Sequence, residues 1–381
     1  MIIDCIFKAQ RKPSDMEKAV QLLASADILS GDSSIVKIYE EKLCKYFNTR
    51  HAIAVSSGTA ALHASLVSVI KPGDEVLVPA ICVPMTVSAI LQAGGIPVFY
   101  DCQKNAFFPD ATALHKKITE STRALITVSM WGYAALDEET LHICKKNSIT
   151  VIEDAAQAAG TSSTLGYEGT IGDIGCFSTH EFKLISTGEG GFVLTNSDDY
   201  ADKIRSYTHI GFNSHYRSFG YSDGLNYKLS AFQAALGILQ LEILSDKIAV
   251  RQQTLQTWRN LLKSTLKITF LNEHYDISHN GYSLCCLLKD ITNANGKDIA
   301  KNLHKLGINT DSYRYKNTIV SNYPLYEKFY KSPHYTRDNK IDFPHASQLA
   351  DRLLVLPCHE QITNDSIQQA SVKLLEIIRN S

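Results

Sequence analysis

Residues 172–191 read GDIGCFSTHEFKLISTGEGG, and this stretch carries the most specific pattern in the chain. Within it, Lys183 lies between an apolar run that ends at Ser178 and a glycine-rich turn that leads into the apolar run Phe192–Thr195. A lysine in such a place can be held beside a buried cofactor, where lost hydration lowers the pKa of its ammonium group and favours the nucleophilic amine. Most lysines are solvated surface charges, so the interpretation depends on what the rest of the sequence supplies.

Two segments upstream of Lys183 contain residue types that a phosphorylated cofactor needs. Residues 56–62, SSGTAAL, predict a strand that turns into a helix start, whose N–H groups and positive dipole end suit a phosphate. Residues 151–157, VIEDAAQ, place Asp154 at the end of a β-branched run, where its carboxylate could keep a buried pyridinium nitrogen protonated. Taken alone, each segment is better explained as a plain helix cap. Together, however, a phosphate-binding helix start, a carboxylate and a lysine follow one another in this order along the chain. This order makes a cofactor site the better interpretation.

Short apolar runs alternate with amphipathic segments through the first half of the chain. This alternation predicts right-handed βαβ units and a mostly parallel sheet with helices on both faces, which binds ligands at the carboxyl ends of its strands. The segments are His51–Val55, Ala60–Ile70, Glu75–Pro79, Val87–Gln92, Ile96–Tyr100, Ala124–Ser129, Leu136–Lys146 and Thr150–Ile152.

The pattern changes to a long helical stretch at Ser230–Ser264, which we expect to link the large domain to a C-terminal one. Beyond it we predict a strand at Gly281–Leu288, a helix at Asn295–Leu306 with an Asn cap, and a closing helix at Asp365–Arg379. The chain is therefore expected to form a large cofactor-binding domain with an N-terminal arm, residues 1–240, and a smaller α/β domain with the linking helix, residues 241–381.

Composition excludes several classes of partner. The chain has 381 residues, 44% of them apolar, with a formal net charge of -1, which gives no strong field for nucleic acid or anionic membrane. The nine cysteines are odd in number and free of C-x-x-C pairs, and Asp4 and Lys8 interrupt any signal sequence, so we expect free thiols in the cytoplasm. No His, Cys or Asp cluster has metal-ligand spacing, so no metal is expected.

The chain resembles the DegT/DnrJ-type sugar aminotransferases of the aspartate aminotransferase superfamily, from about Leu29 to Pro357. The resemblance implies a fold-type-I transferase that depends on pyridoxal 5′-phosphate (PLP). The matching segments are SGTAAL (57–62), PGDEV (72–76), EDAAQ (153–157), GD (172–173), FS (177–178), Lys183 with TGEGG (187–191), GLNYKLS (224–230) and QAA (233–235).

The resemblance also implies roles for individual residues. Lys183 would form the Schiff base with PLP and act as the proton-transfer base, while Asp154 would pair with the pyridine nitrogen. It implies a homodimer with shared active sites, because Asn226 and Lys228 of the segment 224–230 would reach the phosphate of the neighbouring subunit. The further cofactor contacts that it implies are Gly58, Thr59 and Ser178 at the phosphate with Ser57 beside them, Gln157 at the phenolic oxygen, and Asn226 and Lys228 from the other subunit.

Three positions depart from the family pattern or need separate weighing. Val83 stands where relatives have an aromatic residue over the cofactor ring, which would reduce the stacking energy by roughly 0.5–1.5 kcal/mol. The segment His209–Phe212 differs from the usual His-Gly pair with basic neighbours. A branch of the family replaces the Schiff-base lysine with histidine and performs dehydration. Because Lys183 is present, we interpret His180 as a pocket-wall or structural histidine, and as a candidate substrate contact if it lines the pocket.

The implied reaction moves an amino group from glutamate or glutamine to a keto sugar, for surface polysaccharide or secondary-metabolite synthesis. We expect a nucleotide-linked acceptor, and a free keto sugar, an eight-carbon keto-acid sugar or a cyclitol ketone as alternatives. A PLP-dependent sugar dehydratase and a regulator without catalysis remain further hypotheses. Candidate cationic anchors for a nucleotide diphosphate are Arg205, His209, His215 and Arg217, for which a solvated loop is an equally good interpretation.

Overall fold

A seven-stranded sheet forms the centre of the computed structural model, which describes residues 2–7, 9, 11–272, 276–289, 295–315, 319–327 and 343–380. The strand order is β1-β9-β8-β5-β4-β2-β3, and β9 runs antiparallel to both of its neighbours while the other neighbouring pairs are parallel. The strands are β1 (His51–Val55), β2 (Glu75–Pro79), β3 (Ile96–Tyr100), β4 (Thr122–Val128), β5 (Thr150–Asp154), β6 (Ser162–Ser163), β7 (Gly166–Tyr167), β8 (Ile174–Ser178), β9 (Gly191–Thr195), β10 (Ile268–Phe270), β11 (Ile277–Ser278), β12 (Ser283–Leu288) and β13 (Leu353–Pro357). The predicted mostly parallel sheet is confirmed.

Helices cover the sheet, and the central strands are almost entirely buried. Within the described ranges, no helix combines the length and the apolar character needed to cross a membrane. The helices are α1 (Pro13–Ala24), α2 (Ser34–Phe47), α3 (Gly58–Val69), α4 (Pro84–Gln92), α5 (Ala111–His115), α6 (Glu138–Lys146), α7 (Asp198–Thr208), α8 (Ala231–Glu242), α9 (Leu244–Leu262), α10 (Gly296–Lys305), α11 (Asp311–Tyr315), α12 (Pro324–Glu327), α13 (Pro344–Arg352) and α14 (Asn364–Arg379), with 3-10 helices at Met130–Gly132 and Val320–Asn322.

The loop that leads into β8 is pinned by a buried acid. The Glu153 carboxylate accepts the N–H groups of Gly169, Ile171 and Gly172 at 2.6–2.8 Å. Its complete burial raises the pKa of Glu153 above the usual value of a glutamate, although these three hydrogen bonds oppose the shift. A Cβ on Gly175 would lie 1.9 Å from the carbonyl oxygen of Gly169, so only glycine fits at this approach. These contacts hold the loop before β8 and the first part of the strand that carries Ser178.

A second, antiparallel sheet with the order β10-β12-β13 belongs to the C-terminal part. Its core includes Trp258, whose indole N–H donates to the carbonyl of Pro357 at 3.0 Å. The beginning of the chain packs here as well: Ile3 pairs with Ile308 in a parallel bridge and is buried in the same core. The N-terminal arm therefore starts on the C-terminal unit rather than on the large sheet.

The predicted helical stretch Ser230–Ser264 is wrong in one respect, because it consists of two helices. At Ile243 the backbone leaves the helical region, with φ -105° and ψ 7°. The cause is that the two helices serve different cores: α8 packs with α2 beside the large sheet, while α9 contributes Leu255 and Trp258 to the C-terminal core. The predicted strand at Gly281–Leu288 begins later, at Ser283, because Gly281 has a positive φ of 72°.

The division into residues 1–240 and 241–381 remains a proposal. It is supported by the change of core between α8 and α9. Against a sharp boundary, the core beneath the large sheet also includes Cys285 and Val355 of the antiparallel sheet, so the two units share apolar contacts.

Candidate active site

A cavity of about 270 Å³ lies at the carboxyl ends of the parallel strands. Its walls include the residues after β1, the last residues of β4, β5 and β8, and the turn around Lys183. A parallel sheet is expected to bind its ligand at this edge. We call it the Lys183 cavity, and the predicted site residues that line it are Ser57, Gly58, Thr59, Val83, Asp154, Gln157, Ser178, His180 and Lys183.

The first turn of α3 forms one wall of the Lys183 cavity. Ser57 caps this helix, and its Oγ accepts the N–H of Ala60 at 3.0 Å. The N–H groups of Gly58 and Thr59 have no acceptor within the helix, because no turn precedes them. A Cβ on Gly58 would lie 2.8 Å from the Cβ of Ser178, so glycine allows the helix start to approach β8. The capping role of Ser57 and a phosphate site are thus compatible.

Asp154 ends β5 with its carboxylate buried in the floor of the cavity. Its Oδ2 accepts the hydroxyl of Thr86 at 2.6 Å, and its Oδ1 accepts the N–H of Ala156 at 3.2 Å. Burial raises the pKa of Asp154, while the Thr86 hydroxyl, the Ala156 N–H and the charge of Lys183 act in the opposite direction. No helix begins after Asp154 in this described segment, so the helix-cap interpretation does not hold here.

Gln157 lines the same cavity and is held at one end of its amide. Its Oε1 accepts the main-chain N–H of Trp131 at 2.5 Å, and its own carbonyl accepts the Asn280 amide at 2.9 Å. Trp131 adopts a left-handed conformation with φ 52° and ψ 23°, which an L-residue reaches only at a cost. Because Oε1 has its donor, the Nε2 group is the part of Gln157 that can donate to a ligand oxygen.

Lys183 itself is half-buried in the cavity wall. Its Nζ lies 5.6 Å from the centroid of the Tyr282 ring, and its charge lowers the pKa values of both Asp154 and Asp311. The lysine is therefore close enough to act on the Asp154 carboxylate, and its charge also acts on a second buried acid, Asp311.

Two contacts from outside the cavity hold the turn that carries Lys183. The Glu181 carboxylate pairs with Arg11 of the N-terminal arm at 2.6 Å. The carbonyl of Leu184 accepts the Nζ of Lys247, on α9, at 3.0 Å. Burial lowers the pKa of Lys247 to about 8, so this donor is partly neutral in mildly basic solution. The arm and the linking helix together fix the backbone on both sides of Lys183.

Val83 and His180 lie at the mouth of the cavity. Val83 is the residue before α4, and its half-buried side chain lines the cavity; its place over the cofactor ring stays a prediction. His180 has an Nε2 that lies 3.7 Å from Glu189 and a side chain that is 38% exposed. A partly exposed histidine beside a carboxylate agrees with a wall position.

The other predicted residues do not line the Lys183 cavity of their own chain. Lys228, Arg205, His209 and His215 line a different cavity of about 730 Å³, which we call the Lys228 cavity. Arg205 is paired there with Glu40 at 3.1 Å. Asn226 lies beside this group through a backbone bridge with His209, and Arg217 is exposed in the adjoining loop.

The sequence prediction missed Thr86, which contacts Asp154 but does not line the cavity, and two polar residues that do line it. Thr86 follows Pro84 in α4, and its contact with Asp154 depends on the packing of that helix. Tyr282 and Arg314 come from the C-terminal part and line the same cavity. A signal for Thr86 exists in hindsight, since a polar residue fully buried in an apolar helix needs a partner. No local pattern distinguishes Tyr282 or Arg314.

The donor set of the Lys183 cavity fits PLP. PLP carries a phosphate, a ring nitrogen, a phenolic oxygen and an aldehyde. The cavity offers a helix N-terminus, a buried carboxylate, an amide N–H₂ and a lysine amine in the same order.

A model of the DegT/DnrJ/EryC1/StrS aminotransferase family matches residues 10–374. The chain belongs to this family. It is therefore a PLP-dependent aminotransferase of the fold-type-I class, as the sequence predicted.

Named relatives extend over most of both chains. The GDP-perosamine synthase of Caulobacter vibrioides is 29% identical over 343 residues, which is 89% of this chain and 89% of the relative. The UDP-4-amino-4,6-dideoxy-N-acetyl-beta-L-altrosamine transaminase of Helicobacter pylori is 26% identical over 371 residues, 95% and 94% of the two chains. Family membership thus covers the whole site and not one motif.

Solved structures establish the fold. Helicobacter pylori PseC, an aminotransferase involved in pseudaminic acid biosynthesis, superposes with a TM-score of 0.86 at 24% identity and covers 98% of both chains. The E. coli GDP-4-keto-6-deoxy-D-mannose-3-dehydratase with bound hydrated PLP superposes with a TM-score of 0.83 at 22% identity, covering 98% of this chain and 100% of the other. A transaminase and a dehydratase share this fold, so the fold alone does not select the reaction.

The contact between Thr86 and Asp154 yields a prediction. Thr86→Val keeps the shape but removes the hydroxyl that lowers the pKa of Asp154, so that pKa should rise. If Asp154 serves the reaction as a carboxylate, as the resemblance implies, the acid limb of the pH profile for amino-donor turnover should move to higher pH, with a loss of about tenfold at neutral pH. Thr86→Ser is the matched control and should retain the wild-type profile. An acid limb that stays in place in the valine variant would contradict the role.

Proposed function

We propose that this aminotransferase moves an amino group from glutamate or glutamine to a nucleotide-linked keto sugar, giving an amino sugar for surface polysaccharide or secondary-metabolite synthesis. The observation that carries the proposal is the convergence of Lys183, Asp154, Gln157 and the N-terminus of α3 on one cavity. The names of the perosamine synthase and altrosamine transaminase relatives support a sugar joined to a nucleotide as acceptor.

Each residue has a distinct task in the proposed reaction. Bound PLP supplies an electron-accepting ring. Asp154 holds a proton on the ring nitrogen, and the N–H groups of Gly58 and Thr59 with the Ser178 hydroxyl bind the phosphate. The Lys183 amine takes the proton from Cα of the amino donor and, in the second half of the cycle, delivers a proton to the former carbonyl carbon of the acceptor.

The choice between transfer and dehydration follows from the residue at position 183. A lysine amine would hold the cofactor through its aldehyde carbon and would also serve as the proton-transfer base of the reaction. The nearest histidine in the turn, His180, lies beside Glu189 at the cavity mouth. Lys183 therefore favours amino transfer over the dehydratase and non-catalytic alternatives.

We further propose a homodimer with shared sites. Asn226 and Lys228 would contact the phosphate bound by the partner, which agrees with their absence from the Lys183 cavity of their own chain. Large apolar side chains around them, including Ile210, Phe219 and Phe232, are about half exposed and would be covered by the second copy. Arg205, His209 and His215 would then lie near the partner's acceptor, with Arg205 the least available because of its pairing with Glu40.

A cytoplasmic location is part of the proposal. All nine cysteines are free thiols, and seven of them are buried in the described structure. Such an arrangement suits a reducing compartment.

The acceptor is tested with protein that has been loaded with PLP, exposed to glutamate and then freed of it. We expect a nucleotide-linked keto sugar to restore the original cofactor absorbance, and Lys183→Ala protein to give no cycle. Nucleotide diphosphate alone should compete with the acceptor, and less so at high salt, because charge pairing is screened. If free keto sugars or cyclitol ketones react equally well and nucleotide does not compete, the nucleotide-linked acceptor is wrong. If neither donor nor any ketone changes the absorbance, amino transfer itself is wrong.

The shared site is tested by complementation. Lys183→Ala chains and chains with Asn226→Ala and Lys228→Ala should each be inactive alone. After mixing and subunit exchange, one site of a mixed dimer combines the intact Lys183 of one chain with the intact Asn226 and Lys228 of the other. Activity should therefore return in part. Exchange that is demonstrated by a size or charge tag without any recovery would mean that each site is built within one chain.

A further inference from the structure

His63 is a buried polar residue in an apolar part of α3. Its side chain is only 9% exposed, and Leu62 and Leu66 beside it are buried as well. The polar atoms of a buried imidazole need hydrogen-bond partners. His63 does not line the Lys183 cavity, so its role depends on what it binds elsewhere.

The Tyr227 hydroxyl is a partner of this imidazole. Its oxygen lies 2.9 Å from Nδ1 of His63. Burial lowers the pKa of His63, while a hydrogen bond to the backbone of Gln92 acts in the opposite direction, and the ring is neutral at neutral pH. A neutral imidazole has one donor nitrogen and one acceptor nitrogen. Since the backbone of Gln92 takes the ring N–H, Nδ1 accepts the hydroxyl of Tyr227.

The backbone of Tyr227 is held as well. Its carbonyl accepts the N–H of Ser56 at 2.7 Å, and its own N–H donates to the carbonyl of Thr208 at 2.9 Å. Ser56 directly precedes Ser57, the cap of α3. Tyr227 is therefore joined to the start of α3 through its main chain and to the second turn of the same helix through its side chain.

Asn226 and Lys228 flank Tyr227 in the segment that is proposed to serve the partner subunit. Each forms a single antiparallel bridge, Asn226 with His209 and Lys228 with Val55. Successive residues of a strand-like segment project to opposite sides, so fixing the Tyr227 side chain on α3 also sets the direction in which its two neighbours point. Asn226 is exposed and Lys228 is half-buried, whereas Tyr227 packs inward.

We infer that His63 is a positioning residue for the cofactor site of the partner subunit. Through the Tyr227 hydroxyl, it holds Asn226 and Lys228 in the place from which they would bind the partner's phosphate. One α3 helix then serves both sites of the dimer, because its N-terminus faces the phosphate of its own chain and its second turn supports the ligands of the other. The inference rests on the proposed homodimer and extends it to a residue that lines neither cavity.

Mixed dimers separate the contributions of the two chains. One chain carries Asn226→Ala and Lys228→Ala, the other carries Lys183→Ala, and two different affinity tags isolate the pair. One site is then complete, with Lys183 from the first chain and Asn226 and Lys228 from the second. Because the other site has no lysine at position 183, the absorbance of PLP attached to Lys183 measures cofactor binding at the complete site alone.

His63→Phe keeps an aromatic ring but removes the acceptor nitrogen. In the chain that supplies Asn226 and Lys228, it should raise the dissociation constant of PLP at the complete site about three- to tenfold, the scale of one lost hydrogen bond. In the chain that supplies Lys183, it should leave this constant unchanged. Equal losses from the two placements, a loss confined to the Lys183 chain, or no loss from either would overturn the inference, since a merely structural histidine has no reason to act across the dimer.

Tyr227→Phe is the second variant, because it removes a single oxygen and leaves α3 intact. In the chain that supplies Asn226 and Lys228, it should reproduce the loss, and the double variant should lose no more than either single one, since both changes remove the same bond. Additive losses would overturn the role of that bond. His142→Phe, at an exposed position of α6, is the matched control and should have no effect in either chain.

The mixed dimer with an unchanged His63 distinguishes failure of the inference from failure of the shared site. It should bind PLP more tightly than the dimer of two Asn226→Ala, Lys228→Ala chains. If it does not, the shared site is wrong and the role of His63 falls with it. If it does, and His63→Phe has no effect in the chain that supplies Asn226 and Lys228, the shared site stands and the inference alone fails.

Discussion

The Asp154 carboxylate is buried at the end of a parallel strand, and the rest of the site depends on keeping that charge there. An isolated buried charge costs several kcal/mol, so it persists only with close donors and positive partners. Thr86 and the N–H of Ala156 supply the donors, and Lys183 supplies part of the positive charge. A protonated ring nitrogen would complete the set, which explains why a cavity with this floor favours a pyridinium cofactor over a neutral ligand.

The same constraint explains why distant parts of the chain meet near the lysine. Lys183 must lie close to Asp154 without forming a direct ion pair with it. The turn that carries Lys183 therefore needs rigid support. Arg11 and Lys247 provide this from the N-terminal arm and the linking helix. Because the arm starts on the C-terminal unit through the pairing of Ile3 with Ile308, the support of the lysine couples the two units.

The sequence predicted the sheet and the inner wall of the cavity because these depend on local patterns. Asp154 and Ser178 each end a strand, and the carboxyl ends of parallel strands meet at one edge whatever the loops do. It missed Thr86 and Arg314 because their positions at the site depend on long-range packing of a helix and of the C-terminal unit, which no local periodicity encodes. The break at Ile243 was missed for a related reason: both halves of the stretch are helical in pattern, and only their different cores separate them.

The protonation state of the bound cofactor tests the central claim most directly. With PLP labelled with ¹⁵N at the ring, the nitrogen chemical shift of the reconstituted protein distinguishes a pyridinium from a neutral pyridine. The account predicts a protonated nitrogen in the wild type near neutral pH and a neutral one in Asp154→Asn, with the cofactor still attached to Lys183 in both proteins. A neutral nitrogen in the wild type, or a protonated one that persists in Asp154→Asn, would contradict it.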